Sequence, residues 1–391
     1  MTSGAAGAPD ARAEAPGEQG PREDAPGASG ARADVTTVAV DCNGADLGPA
    51  EVAAGAMMAA SEGARTILFG PADMLRVACQ DTDDGMIEIV DAPVSIAKSA
   101  DPASAARMHP EASIVQAAKA VAEGRAQALV CAGGTGAALA AGLFNIKRAR
   151  GIHRPALALV LPIPGPPPAG PVTLLDVGAN AQARSEHLEQ FAFMGAGLAR
   201  TVLGVEHPRV GLLSNGEEAE RGGPLVVDAH SKLRARAGAG AGFEFVGNVE
   251  GGDIASGVAD VIVTDGLTGN IALKLMEGVS QTMLSAIRDA AMSSTKAKLG
   301  GMLLKPALRG LREELDPEAQ GGAYLLGLRR LGVVPHGGFS RRGFAQAILR
   351  AQRGAQEDLI GRTHAALDRA GALRRATPVS ARVASLPEND A

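Results

Sequence analysis

The chain has 391 residues, of which 46% are hydrophobic, and its formal net charge at pH 7 is -5. This length and apolar content allow one large domain or two smaller ones with a sizeable core, and they indicate a soluble globular protein. The negative charge attracts no nucleic acid, and one tyrosine without any tryptophan offers few rings for base stacking. The composition therefore argues against a nucleic-acid ligand.

The N-terminal segment, residues 1–34, is rich in Ala, Gly, Pro and charge and has no Val, Ile, Leu or aromatic residue. Because it cannot bury enough surface to offset the entropy of ordering, we predict a disordered tail that is not a signal peptide. The three cysteines, Cys42, Cys79 and Cys131, have neither the spacing of a metal site nor an even number. This favours a reducing cytoplasm without disulfides.

A single α/β domain is predicted for residues 35–371, because short apolar segments alternate there with helix-like stretches. Such alternation is typical of a largely parallel sheet, in which ligands bind outside the carboxyl ends of the strands. Residues 372–391 have the composition of an exposed end and are predicted to be a flexible C-terminal tail. The predicted strands are residues 36–41, 65–70, 128–133, 173–178, 209–214, 243–248 and 259–265.

An uncharged run from Ala126 to Phe144 approaches the length of a membrane span. Its four glycines favour a different interpretation, which is a short apolar strand, a glycine turn and a small-residue helix. Cys131 falls at the end of that strand, and we interpret it as a buried apolar residue and not as a nucleophile.

Residues 273–315 change to a pattern of long helices, with Leu275, Val279 and Met283 among the apolar residues at helical spacing. Within them, residues 294–312 mix leucines and a methionine with five basic residues. Two interpretations stay open. One is a helical hairpin packed in a dimer, and the other is a basic amphipathic tip that touches an anionic membrane surface.

Glycines and small polar residues follow five of the predicted strands, and we expect them to meet at one edge of the sheet. Glycine lets backbone N–H groups approach an anion closely, and a helix N-terminus adds a favourable dipole. The loops 133–136 and 264–270 could therefore hold phosphate. The five segments are residues 41–49, 131–139, 176–188, 214–223 and 264–270.

The sequence lacks the GxSxG, HExxH and dinucleotide-binding motifs, so we predict no covalent nucleophile, no metal and no cofactor. An enzyme that uses phosphate as its nucleophile needs only donors for the phosphate and for the oxyanion of the acyl group. Asn270 could donate to the oxyanion, and Arg221 or Arg184 could hold phosphate. The alternatives are a helix cap for Asn270 and solvated surface charges for the arginines.

The order and the amino-acid sequences of these segments resemble those of the PlsX-type phosphate acyltransferases over residues 36–368. These enzymes are acyl-acyl-carrier-protein:phosphate acyltransferases. A match of so many blocks in one order is specific. The blocks are VAVDCNGADLGP, AGGTGA, AGLF, GIHRPALA, LLDVGAN, SEHLEQFAFMG, PRVGLLSNGEE, FVGNVEGGDI, VADVIVTDGLTGNIALKLMEG, LKPAL, GGAYLLGL and HGG.

The resemblance implies a three-layer α/β/α sandwich with a mostly parallel sheet, similar to isocitrate dehydrogenase and phosphotransacetylase, and a protruding helical hairpin. It also implies a homodimer that converts acyl carrier protein thioesters and inorganic phosphate into acyl phosphates for phosphatidic acid synthesis. Family members resemble peripheral membrane proteins that feed a membrane glycerol 3-phosphate acyltransferase. The resemblance thus favours a lipid contact for residues 294–312 at the inner face of the cell membrane.

The strand-end loops and the resemblance together suggest a set of site residues. The proposed catalytic residues are Asn270 and Arg221. The proposed substrate-binding and phosphate-binding residues are Gly133, Gly134, Thr135, Gly136, Asp176, Asn180, Arg184, His187, Glu217, Glu218, Asp265 and Gly269. Where the family has an asparagine this chain has Gly134, where it has lysines this chain has Arg184 and Arg221, and Gly252 replaces an arginine.

Two other functions stay open at this point. A phosphotransacylase that acts on short acyl-CoA would share the fold and the phosphate site. A catalytically weakened dimer that serves as a membrane or partner scaffold would account for the altered loop residues.

Overall fold

The computed structural model describes residues 36–79, 85–163, 170–237, 241–314 and 316–374. The predicted N-terminal tail and residues 375–391 of the predicted C-terminal tail lie outside the described residues. The folded part extends a few residues past the predicted boundary at 371. Ala372 is buried, and the backbone N–H of Arg374 donates to the Gly151 carbonyl at 2.8 Å.

Eleven strands of the described part form one sheet. All seven predicted strands are present, and four strands that we did not predict, β3, β5, β10 and β11, complete the sheet. The strands are β1 Thr37–Asp41, β2 Arg65–Gly70, β3 Ile87–Asp91, β4 Ala128–Cys131, β5 Ala156–Leu161, β6 Val172–Leu175, β7 Arg209–Leu213, β8 Glu244–Val249, β9 Val261–Val263, β10 Ala323–Leu326 and β11 Leu331–Val334.

Helices connect most of the strands, as the alternating pattern predicts. The α-helices are α1 Pro49–Ser61, α2 Ala72–Ala78, α3 Pro102–Met108, α4 Ser113–Ala122, α5 Thr135–Ala141, α6 Ser185–Leu203, α7 Pro224–Ala237, α8 Gly266–Met292, α9 Thr295–Glu314, α10 Arg341–Gln356 and α11 Leu359–Arg369. The uncharged run from Ala126 to Phe144 is β4, a glycine turn and α5, which confirms the interpretation given above.

The strand order in the sheet is β3-β2-β1-β4-β11-β10-β5-β6-β9-β7-β8. Neighbouring strands are parallel except at the pairs β11–β10, β10–β5 and β5–β6. These three reversals turn the second half of the sheet around. The carboxyl ends of β1 and β4 lie at one edge, here called the first edge, and those of β6, β7 and β9 lie at the opposite edge, called the second edge. The expectation that all five glycine segments meet at one edge is therefore wrong.

Two hydrophobic cores lie on the two faces of the sheet, as the side-chain alternation of strands requires. In β1, Val38 and Val40 belong to the core that also contains Phe191 of α6 and Phe344 of α10. Ala39, between them, belongs to the other core, which α4 and α5 cover. Helices on both faces of one sheet make the three-layer α/β/α sandwich that was predicted.

Helices α8 and α9 pack on each other as the predicted hairpin. The hairpin carries apolar side chains that remain exposed in the single chain, such as Leu275 with 66% and Leu303 with 78% of the residue surface accessible. Pro306 lies inside α9. Within the described residues, no helix combines the length and the apolar character that a membrane crossing requires.

Candidate functional site

At the first edge, the loop after β1 packs directly on the loop after β4. A Cβ atom on Gly44 would lie 1.7 Å from the Ala132 carbonyl oxygen. A Cβ on Gly133, whose φ is +102°, would lie 2.5 Å from the Gly44 carbonyl oxygen. Both positions need glycine because the two backbones approach more closely than a side chain allows.

The predicted phosphate loop 133–136 is enclosed by the chain itself. A Cβ on Gly134 would lie 3.0 Å from Cα of Ala97, and a Cβ on Gly136 would lie 2.8 Å from Cγ of Pro102. Thr135 opens α5, which is only seven residues long. Packing alone explains the glycines of this loop, and phosphate binding by residues 133–136 stays a prediction.

A cavity of about 410 Å³ lies beside these loops, between residues 43–45 and the segment before α3. Its lining includes Lys98, which is exposed and has no ion-pair partner among the described residues. The hydroxyl of Ser95 donates to the Asn43 carbonyl at 2.6 Å. Residues 43–45 belong to the predicted segment 41–49, whereas the lining from residues 95–99 was not predicted because residues 92–101 carry no glycine turn at a strand end. The lining residues are Asn43, Gly44, Ala45, Ser95, Ile96, Lys98, Ser99, Ala105 and His109.

Below the cavity, the buried carboxyl of Asp41 and the thiol of Cys131 are neighbours. Asp41 accepts a hydrogen bond from the Ser113 hydroxyl at 2.6 Å, and its second oxygen lies 3.4 Å from Sγ of Cys131. Burial raises the pKa of Asp41. Burial, and then the charge of Asp41, raise the pKa of the Cys131 thiol well above its usual range. A thiol held protonated is a poor nucleophile, in agreement with the interpretation of Cys131 as a buried apolar residue.

At the second edge, Asp176 organises the loop after β6. One carboxylate oxygen accepts the backbone N–H groups of Leu157 at 3.0 Å and Ala179 at 2.9 Å. The other accepts the backbone N–H and the side-chain amide of Asn180, each at 2.8 Å. Burial raises the pKa of Asp176, and these hydrogen bonds act against that rise. Both oxygens are occupied, so Asp176 holds the loop in shape.

This loop packs on the start of α8. The Asn180 carbonyl accepts the backbone N–H of Gly266 at 2.8 Å, and a Cβ on Gly269 would lie 2.0 Å from the Asp176 carbonyl oxygen. Asp265 is the N-cap of α8 and accepts the backbone N–H groups of Leu267 and Thr268, each at 3.0 Å. Asp265 and Gly269 thus serve the local structure, whatever they contribute to a ligand.

Asn270 lies in the second turn of α8, and its side chain is exposed. Because Asp265 caps the helix, the alternative that Asn270 is the helix cap is wrong. A Cβ on Gly178 would lie 3.9 Å from Oδ1 of Asn270, so the amide lies against the loop after β6. Among the described residues the amide has no hydrogen-bond partner, which leaves its N–H groups available to a ligand.

His187 lies in the first turn of α6, at the end of the same loop. Its Nδ1 accepts the backbone N–H of Arg184 at 3.2 Å, so the proton of the neutral ring is on Nε2. Burial, together with the neighbouring His153 at 5.7 Å between ring centroids and Arg154, lowers the pKa of His187 to about 4. At neutral pH His187 is therefore an uncharged hydrogen-bond donor. The side chain of Arg184 is exposed beside it.

The loop after β7 carries three of the predicted residues. Nε of Arg221 lies 3.3 Å from a carboxylate oxygen of Glu218, and both side chains are more than half exposed. The Glu218 carbonyl accepts the side-chain amide of Asn248 at 2.7 Å, which fixes the loop to β8. Glu217 is exposed. Since β7 pairs with β9, this loop follows the strand next to the one that leads into Asn270.

The structure thus brings most of the predicted residues to the second edge. In contact with one another are Asp176, Asn180, Asp265, Gly269 and Asn270; nearby along the same edge are Arg184, His187, Glu217, Glu218 and Arg221. The loop 133–136 is at the first edge. In the ranges that the structure describes, no group of His, Cys, Asp and Glu side chains could hold a metal ion.

Comparison with known proteins gives a consistent set of relatives. The chain matches the model of a family described as "fatty acid synthesis protein" over residues 36–362. It is 42% identical to the phosphate acyltransferase of Heliobacterium modesticaldum over 327 residues, which are 83% of this chain and 95% of the relative. It is also 42% identical to the phosphate acyltransferase of Moorella thermoacetica over 325 residues, 83% of this chain and 93% of the relative.

Two solved structures share the fold. A phosphotransacetylase from Streptococcus pyogenes superposes with a TM-score of 0.55 at 17% identity, covering 83% of this chain and 94% of the other. EutD phosphotransacetylase from Staphylococcus aureus gives a TM-score of 0.54 at 17% identity, covering 82% and 94%. At this identity the likeness concerns the fold, and it confirms the predicted phosphotransacetylase-like α/β/α class.

Proposed function

Because the chain belongs to the fatty acid synthesis protein family and is an acyltransferase, as its relatives are, we propose that it transfers a fatty acyl group from an acyl carrier protein thioester to inorganic phosphate. The product is an acyl phosphate for phosphatidic acid synthesis. The names of the relatives support phosphate as the acceptor. The carrier protein as donor and the phospholipid as destination rest on the resemblance of the sequence blocks.

The reaction needs hydrogen-bond donors and no covalent acyl-enzyme intermediate. A phosphate oxygen attacks the thioester carbonyl carbon and forms the new C–O bond, and the carbonyl oxygen becomes an oxyanion. Collapse of this intermediate breaks the C–S bond, and the carrier thiol leaves with the proton of the phosphate. Stabilisation of the oxyanion by an N–H donor is usually the largest single contribution in such transfers.

The observation that carries this mechanism is the unpartnered amide of Asn270 against the loop after β6. We assign it as the donor to the oxyanion. The Nε2–H of His187 is a second uncharged donor, and its lowered pKa keeps it uncharged at neutral pH. Arg221 and Arg184 supply positive charge for phosphate at the same edge. Asp176 and Asn180 position the loop between them.

The exposed apolar side chains of the α8–α9 hairpin support two further parts of the proposal. A second copy of the chain and an anionic membrane surface would cover different parts of the hairpin, which gives a peripheral homodimer at the inner face of the cell membrane. Acyl phosphate made there would reach a membrane glycerol 3-phosphate acyltransferase without crossing the aqueous phase.

The test compares two donors. Purified enzyme is incubated with phosphate and either a long-chain acyl carrier protein or a short acyl-CoA, and acyl phosphate is trapped with hydroxylamine. Faster phosphate-dependent turnover of the carrier thioester supports the proposal. Faster turnover of the short acyl-CoA would make the chain a phosphotransacylase. The chain is also expressed in a bacterial strain that lacks its own phosphate acyltransferase. If neither thioester is turned over and the chain does not restore growth of that strain, the scaffold function is supported.

A further inference from the structure

A dense group of cations lies at the second edge, on two segments that run side by side. The first segment, residues 147–154, precedes β5, and the second is the turn between β10 and β11. Arg148 and Leu328 form an antiparallel bridge, and the backbone N–H of Arg329 donates to the Lys147 carbonyl at 2.9 Å. We call the group the basic patch. Its members are Lys147, Arg148, Arg150, Arg154, Arg329 and Arg330.

The positive charge of the basic patch is not neutralised within the described part of the chain. All six side chains are exposed, and none of them belongs to an ion pair, whereas eleven ion pairs occur elsewhere in that part. Asp358 and Asp368 line a cavity of about 530 Å³ together with three of the arginines, and the charges of Glu186 and Glu189 act on His153 in the first segment. Asp358 is engaged as the N-cap of α11. A concentration of unpaired cations in a chain with a net charge of -5 attracts an acidic partner.

The backbone conformation of Lys147 independently indicates that this segment has a function. Its backbone has φ 69° and ψ 159°, a region that is used almost only by glycine. A lysine at such a position costs stability that a glycine would not cost. The helical turn before Lys147 ends at this strained residue. The chain then continues into the segment that carries four of the six cations.

The basic patch is next to the candidate site. Its first segment leads through His153, whose ring centroid is 5.7 Å from that of His187, into β5. The carbonyl of Pro155 accepts the side-chain amide of Asn180 at 2.7 Å. A protein bound on the patch would therefore lie beside the loop after β6, against which the Asn270 amide lies. A flexible arm attached to that protein could reach the site.

We infer that the basic patch is the surface on which an acidic carrier protein docks to deliver its acyl thioester. This inference rests on the proposed function, because it concerns the donor of the same reaction. Exposed charges mainly change the rate of encounter and its dependence on salt. The patch should therefore determine the KM for the carrier protein and leave the chemical step unchanged.

The experiment uses the full chain and the double variant Arg329→Glu/Arg330→Glu. Its control is Arg76→Glu/Arg234→Glu, which makes the same change of charge on α2 and α7. Each protein is assayed with an acyl carrier protein and with the same acyl group on N-acetylcysteamine, an uncharged small thioester. We expect kcat/KM for the carrier protein at low salt to fall at least about tenfold in the patch variant, with kcat retained, and to stay at the parent value in the control. The rate with the small thioester should not change.

Other outcomes separate the hypotheses. Equal carrier kinetics in the parent and the patch variant would overturn the docking surface, and so would an equal loss in the control. A patch variant that loses binding to phosphatidylglycerol vesicles but keeps its carrier kinetics would show that the cations face lipid. If the parent makes acyl phosphate from neither thioester, the proposed function fails first. The variant Arg329→Lys/Arg330→Lys, which keeps the charge, should retain carrier kinetics close to the parent value.

Discussion

Asn270→Ala gives the sharpest test of the candidate site, because we expect it to lower the rate of acyl transfer without lowering the stability of the fold. The amide is exposed and has no partner among the described residues, so its removal breaks no internal hydrogen bond. Alanine is a better helix former than asparagine by about 0.5 kcal/mol. The free energy of unfolding should therefore stay the same or rise slightly.

Acyl phosphate formation should fall by about a hundredfold, or about 2.7 kcal/mol of transition-state stabilisation, which is typical for the loss of one oxyanion donor. The loss should appear in kcat, since the donor acts on a charge that exists only in the transition state. Asn270→Asp, which keeps the shape but replaces the N–H donor by a carboxylate, should be at least as damaging.

The matched control is Thr268→Ala in the same helix. It removes the hydroxyl that donates to the N-cap Asp265 at 2.6 Å and should cost about 1 kcal/mol of stability, while the rate per folded molecule falls much less than in Asn270→Ala. Stability is measured by denaturant unfolding, and activity by hydroxylamine trapping of acyl phosphate. Unchanged turnover of Asn270→Ala would remove this residue from the mechanism.

Four further predictions concern the packing, the titration, the hairpin and the thiol. Gly269→Ala should destabilise the chain by about 1–3 kcal/mol in denaturant unfolding, because its Cβ would lie 2.0 Å from a carbonyl oxygen; a smaller loss would mean that α8 shifts freely. The pKa of His187 is lowered to about 4 in the fold, so the unfolded chain takes up a proton as the pH falls from about 6.5 to 4 while the folded chain does not. Stability should fall over this range, and His187→Gln should reduce the slope; an equal slope in both proteins would contradict the lowered pKa. Leu303→Glu/Leu304→Glu should weaken sedimentation with anionic vesicles and leave the melting temperature unchanged, whereas equal sedimentation would exclude this part of the hairpin. Cys131→Ser should retain acyl transfer, since burial keeps the thiol protonated, and trapping of an acyl group on this residue would refute the mechanism.

The sequence predicts the strands well where a buried apolar segment ends in a glycine turn. The strands that we missed are not distinguished by the lack of such a turn, since β10 ends directly before Gly327. β10 and β11 have only four residues each and lie in the middle of the sheet, where apolar residues on both faces leave no alternation to detect. Periodicity also gives no strand order, so the three antiparallel pairs that divide the glycine loops between two edges could not be foreseen.

The candidate site was predicted in its location more than in the roles of its residues. The rule that ligands bind at carboxyl strand ends correctly placed Asp176, Asn180 and Asn270 together. The sequence could not show that both oxygens of Asp176 are occupied by the loop or that Asp265, and not Asn270, caps α8. Those roles depend on hydrogen bonds whose geometry is set only when the loop and the start of α8 are folded, and a pattern of residue types does not give that geometry. Lys98 was missed because no strand-end signal precedes it.

Helix α8 contains Asn270 near its base and the exposed apolar row in its later turns. With 27 residues it is a rod about 40 Å long. If the hairpin pivots by about 10° around the base of α8, its free end moves about 7 Å, while Asn270, about 6 Å from the pivot, moves about 1 Å. Movement of the free end of the hairpin on the proposed membrane surface would therefore displace the amide at its base, against the loop after β6, by only about 1 Å.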